Sequence, residues 1–239
     1  MVLQAVDGEM GRQTGRGGQM KKADLAKAYL GYRQTLGVLG MSLPALVLLL
    51  GLLGHNQPGW YNSISASFYG NAGPVFVAIM GATGVYLITY GVFCWYSTTD
   101  IIANTLSGVF ALLIAFFPCG ATSLARVGVL HIPTTASAMI HNAAATAFFL
   151  LLAYNILFLF TKTSGTPTPE KIRRNRVYYV CGVGMLCFLL SQVITTVAKV
   201  GGPATMVNEA GMLLCFGVAW LVKGGAMMAD RKGSEQIKR

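Results

Sequence analysis

An all-α, polytopic membrane bundle of six transmembrane helices is the fold class that this sequence predicts, and two observations carry the prediction. Six apolar stretches span residues 35–54, 74–96, 101–118, 137–160, 177–198 and 204–224. Each is close to the ~20 residues that a helix rising ~1.5 Å per residue needs to cross a ~30 Å hydrocarbon layer. The second observation is charge asymmetry: of the 18 Lys and Arg residues, all but Arg126 and Lys199 fall on one side of that layer.

Composition agrees. The chain is 54% hydrophobic and 11% charged, whereas about a quarter of the residues of a soluble domain are charged. Segments such as Leu46–Leu53 and Phe148–Phe160 are apolar all round rather than along one stripe, which suits lipid. A chain of 239 residues is too short to bury six such helices in a water-soluble core. No cleaved secretory signal is expected, because the first apolar run begins only at residue 35 and is too long for one.

Loop charges set the expected orientation. The N-terminal segment carries Arg12, Arg16, Lys21, Lys22, Lys27 and Arg33; the loop after the fourth stretch carries Lys162, Lys171, Arg173, Arg174 and Arg176. The C-terminal end carries Lys223, Arg231, Lys232, Lys238 and Arg239. The excess of Lys and Arg on cytoplasmic loops predicts both termini in the cytoplasm and a multi-pass protein of the cell (cytoplasmic, inner) membrane. The net charge of +10 therefore reads as topology, not as nucleic-acid affinity, which needs a basic face with stacking aromatics. Membrane lipids are the expected partners, with anionic headgroups at Arg173, Arg174 and Arg176. A homo-oligomer or a partner membrane protein is a further expectation. Tyr29, Tyr32, Trp95, Tyr96, Tyr178, Tyr179 and Trp220 on one side, and Trp60, Tyr61 and Tyr69 on the other, form the expected interfacial belts.

Three regions are expected. Residues 1–34 form a flexible basic N-terminus, disordered over 1–20, with Met20 as an alternative start and a short interfacial helix over 22–34. Residues 35–224 form the six-helix domain and 225–239 a basic cytoplasmic tail. Pro44 predicts a kink in the first span, and Pro74 opens the second. Residues 97–100 close a tight hairpin, with Asp100 capping the third span and Asn104 supporting it. Gly81, Gly84 and Gly91, the pair Gly182/Gly184 and the pair Gly211/Gly217 predict close helix approach. The five cysteines, among them Cys94, Cys119 and Cys215, read as small packing residues.

Ionisable groups inside spans are costly and point to function. They are very few here; His141 in the fourth span and Glu209 in the sixth are both expected ~10 Å below the outer surface. The uncharged outer loop can reach them with Ser63 and Ser65, and Asn62, Ser67 and Tyr69 lie nearby. The four residues Ser63, Ser65, His141 and Glu209 permit a hydroxyl nucleophile with an imidazole base and an orienting carboxylate. They equally permit proton exchange between His141 and Glu209, a polar headgroup site, or plain packing. Two stripes run down the fourth and sixth spans: His141, Ala145, Phe148, Leu152, Asn155 and Glu209, Leu213, Phe216, Trp220, Lys223, with Lys223 expected to snorkel outward. No cofactor motif is present. His55, His131 and His141 are not spaced as metal ligands.

The segments Ser63–Ala66, Asp100, Phe117-Pro118, His141, Ala147–Thr163, Arg174–Tyr178 and Phe216–Gly224 resemble an uncharacterised family of bacterial six-helix membrane proteins. More remotely the chain is similar to the superfamily of alkaline ceramidases and adiponectin-type receptors, proposed transmembrane hydrolases using Ser, Asp and His around zinc. The resemblance implies roles for Ser63, Ser65, Asp100 and His141. Tyr69 stands where the family commonly has a histidine, and no histidine follows His141 to match the superfamily's His-x-x-x-His. The function expected is binding or processing of a lipid-like or small amphiphilic molecule at an outward-facing intramembrane site, with a hydrolase as one version. A small-solute or proton-coupled transporter, or a non-catalytic partner-binding subunit, is the alternative.

Overall fold

In a computed structural model of the chain, residues 16–54, 61–93, 97–120, 123–163, 165–200 and 203–228 are described, with side chains from Lys27 onward. The expectations placed on Arg12, Cys94, His55, Trp60, Trp95, Tyr96 and the C-terminal Arg231, Lys232, Lys238 and Arg239 lie outside the described residues, as do the side chains of Arg16, Lys21 and Lys22.

Hydrocarbon offers no hydrogen-bond partner to a backbone, so each apolar run closes its own amide ladder as a helix. Six helices follow in order: α1 (Arg16–Leu53), α2 (Gly73–Phe93), α3 (Thr98–Phe116), α4 (Thr134–Tyr154), α5 (Pro169–Val197) and α6 (Ala204–Lys223). All six are long and apolar enough to cross a membrane. A π-helical turn, Asn155–Leu159, prolongs α4. A 3₁₀ helix, Ser65–Tyr69, lies in the loop between α1 and α2. Between α3 and α4 a two-residue hairpin pairs β1 (Arg126–Val127) with β2 (Ile132–Pro133). Its turn carries Gly128 at φ +74°, where an added Cβ would also meet the Phe116 carbonyl oxygen at 3.0 Å.

Each helix packs on its sequence neighbours, and α6 packs along α1 about as extensively as along α5, which closes the six into a ring. Phe76, Leu87, Phe148, Leu152, Phe216 and Trp220 fill the interior. Apolar side chains such as Leu49, Val85, Val180 and Val197 point outward, as a lipid-facing surface requires. Both polar stripes read from the sequence turn inward: His141, Phe148, Leu152 and Asn155 are buried on α4 and its π turn, and Leu213, Phe216 and Trp220 on α6. For reference, the end of the ring holding Arg33, Lys171 and Lys223 is the basic end.

Small residues make the closure. An added Cβ at Gly217 would lie 2.8 Å from the Gly37 carbonyl oxygen, and one at Gly37 2.9 Å from the Gly217 carbonyl oxygen, so the two backbones touch. Gly84 and Gly108 do the same between α2 and α3, where a Cβ at Gly84 would sit 2.9 Å from the Gly108 oxygen. Gly81 instead faces open space, because its side of α2 meets no neighbour.

Several local expectations change. The interfacial helix over 22–34 is the first part of α1, which begins at Arg16 and continues through Pro44 without interruption. Helix α5 begins at Pro169 rather than near 177, because Thr168 accepts from the Lys171 N–H and Pro169 suits a first turn. The basic residues Lys171, Arg173, Arg174 and Arg176 therefore ride on helix, not loop. The cap of α3 is Ser97, whose side chain accepts from the Asp100 N–H; Asp100 bonds back to it, and the Asn104 amide donates to the Asp100 carbonyl at 2.7 Å. Trp220 and Tyr178 are not interfacial: both are fully buried, stacked edge-on against Phe160.

Replacing Gly217 by Leu pushes apart two backbones in contact, so we expect a loss of ~1–3 kcal/mol, whereas Gly81→Leu is neutral. Thermal unfolding in one detergent compares the two; equal loss at both positions would show that the seam does not limit stability.

Candidate functional site

The loop before α2 carries polar backbone groups next to an apolar ring, and each has to find a partner. Ser63 Oγ accepts from the Ala66 N–H at 2.8 Å, and Ser67 Oγ donates to the Ile64 carbonyl at 2.6 Å, which winds the segment into its 3₁₀ turn. The first N–H groups of such a turn have no internal acceptor. Glu209 of α6 supplies one. Its Oε2 accepts from the Ile64 N–H at 2.6 Å and the Ser65 N–H at 3.3 Å, and its Oε1 accepts from Ser65 Oγ at 3.2 Å. A carboxylate thus caps the helical turn from another element, with charge-assisted bonds stronger than neutral ones. The Met206 N–H donates to the Asn62 carbonyl at 3.2 Å and adds a second stitch.

Beneath this junction lies a cavity of ~30 Å³ lined by Ser65 and Glu209 and otherwise by apolar side chains, among them Leu43, Phe76, Met80, Ala145, Phe148 and Leu213. That is room for a water-sized group, since one water needs ~10–15 Å³ by this measure. The carboxylate therefore stands at the wall of an apolar space, where it is the charged acceptor.

Of the four residues read from the sequence, the structure brings Ser65 and Glu209 into hydrogen-bond contact. Ser63 turns to Ala66. His141 is buried, with Nδ1 2.7 Å from the Phe117 carbonyl oxygen. A carbonyl only accepts, so the ring proton is on Nδ1. The cavity meets α4 at Ala145, one turn beyond His141, which does not line it. The backbone amides of Ile64 and Ser65 escaped sequence reading; a run of serines ahead of an aromatic pair marks a turn but not the partner of its N–H groups.

The rim holds two titratable groups. Tyr69 donates its hydroxyl to the Cys119 carbonyl. Partial burial, then the neighbouring Cys119, push the Tyr69 phenol up to about 12. Burial first, and then the negative charge of Glu209, push the Cys119 thiol up to about 11.

No protein-family model, curated protein or solved structure matches this chain.

Because a nearby negative charge disfavours the thiolate, removing it brings the Cys119 pKa down. We expect iodoacetamide modification of Cys119 to be slow at pH 8 and to rise toward about 11. In Glu209→Gln the profile moves to lower pH; a profile that does not move would separate Cys119 from the Glu209 charge.

Proposed function

We propose that this chain is a multi-pass protein of the cell membrane, with both termini cytoplasmic, that binds a small amphiphilic molecule beneath its Ser-rich outer loop. The observation that carries the reading is the Glu209 carboxylate at the wall of an otherwise apolar cavity. An amphiphile offers both what such a wall accepts: a hydrogen-bond donor for the carboxylate and an apolar body for Phe148, Met80 and Leu213. The cavity as it stands is small, so entry requires the head of the ligand to replace the loop donors at Glu209. Loop and ligand then compete for one acceptor, and the loop serves as the lid.

Binding is favoured over hydrolysis. The Ser65 hydroxyl reaches a carboxylate base, but that base also holds two backbone amides, and the imidazole is engaged at Phe117. A second reading, transport, is supported by the inward-facing stripes on α4 and α6 and by the π turn at Asn155, since such turns are frequent at functional sites.

Orientation is tested in intact cells, in a background with the native cysteines replaced by serine: a membrane-impermeant maleimide labels Gly120→Cys and spares Thr163→Cys, and the reverse pattern would invert the topology. Binding is tested by thermal unfolding with octylamine and octanol as probes. We expect both to stabilise the protein, Ala145→Leu to weaken both by filling the cavity, and Glu209→Gln to weaken octylamine by about tenfold while sparing octanol. No stabilisation by either probe would end the amphiphile reading.

A further inference from the structure

The basic end of the ring is built around aromatic rings and cations. Tyr90, Trp220, Phe160 and Tyr178 stack in series, with centroids 5.1, 5.0 and 5.5 Å apart. Three cations lie over these rings: Arg33 on Tyr90 at 5.6 Å, Lys223 on Phe160 at 5.0 Å and Lys171 on Tyr178 at 5.7 Å. Lys223 does not snorkel away. Its ammonium is turned to the Phe160 carbonyl at 3.4 Å, an oxygen that Lys171 also reaches at 2.7 Å. Arg33, Lys171 and Arg174 all lie within electrostatic range of Lys223, and so, among the described residues, does the carboxylate of Asp100. That carboxylate is already held by Ser97 and by Lys162 at 3.5 Å.

A second and independent observation is the Trp220 indole. It is fully buried, and among the described residues its N–H finds no acceptor. Buried donors are rarely left this way, because an unmade hydrogen bond keeps the full cost of desolvation. Trp220 and Lys223 are three residues apart and share one face of α6.

We propose that this end of the ring is a binding site for a phosphate oxyanion, held by the Lys223 ammonium and the Trp220 indole N–H. A phosphate presents several strong acceptor oxygens and at least one full negative charge, which suits an ammonium and an indole donor on one helix face among further cations. Chloride satisfies the charge but has no directed acceptors to share among separated donors. Lys223 is the last residue of α6, so the phosphate comes either from an anionic lipid headgroup or from solution. It is distinct from the Glu209 cavity and does not depend on it, since the two lie at opposite ends of α6.

The test uses the full-length protein in phosphatidylcholine nanodiscs. Inorganic phosphate is titrated in one arm, and phosphatidylglycerol is included in the nanodisc in the other, with thermal unfolding as the readout. We expect stabilisation in at least one arm: by inorganic phosphate if the ligand is soluble, by phosphatidylglycerol alone if it is a headgroup. Trp220→Phe keeps a ring in the stack and removes the N–H, and Lys223→Gln removes the charge. Each should weaken the apparent affinity on the order of tenfold. Lys27→Gln, at an exposed basic position on α1, should leave it unchanged. Absence of stabilisation in both arms, or an equal loss in Lys27→Gln, would overturn the proposal. Should Lys223→Gln fail to fold, Trp220→Phe decides.

Discussion

The contact between the backbones of α1 and α6 is the constraint on which the rest of this structure depends. Inside hydrocarbon the apolar side chains gain little by meeting one another rather than lipid, so helices associate through close fit. Gly37 and Gly217 allow that fit by letting one helix carbonyl approach the other's Cα. Because the first and last helices meet, the chain closes into a ring rather than an open row. Closure gives the bundle an inside, and the inside is what turns the stripes of α4 and α6 away from lipid.

Once an inside exists, its two ends differ in kind. At one end a carboxylate meets a loop: Glu209 takes the orphan N–H groups of a 3₁₀ turn that no other group reaches. At the other end cations meet aromatic rings, around Phe160 and Trp220. Between them Phe148, Leu152 and Phe216 fill the axis. Negative charge under one rim and positive charge under the other is an arrangement that α6 creates by itself, since Glu209 and Lys223 stand at its two ends.

Much of the fold was legible because it rests on period and length. Six runs of suitable length, a charge bias and helix-punctuating Pro and Gly residues are local properties, and a bilayer converts them into spans with little choice. Details with a local cause but a competing reading went otherwise. Ser97 rather than Asp100 caps α3, since a hydroxyl outside the helix accepts from the first turn while an acidic side chain within it bonds back. The start of α5 moved by two turns because the Thr168-Pro169 pair begins a helix whether or not the residues after it are apolar. Trp220 and Tyr178 look like interfacial aromatics by position, yet ring closure buries them.

The candidate site was half legible. Scarcity of charge within spans singled out His141 and Glu209, and composition singled out the loop with Ser63 and Ser65. By itself the sequence determined that this chain forms six apolar helices with its cations gathered at one side, because helix length, hydropathy and loop charge act residue by residue. Only the tertiary structure decided that Glu209 holds Ile64 and Ser65, that His141 turns to Phe117, and that the indole of Trp220 is buried in the aromatic stack with no acceptor among the described residues. Those are pairings between elements far apart in the chain, and they are set by which helix faces meet when the ring closes.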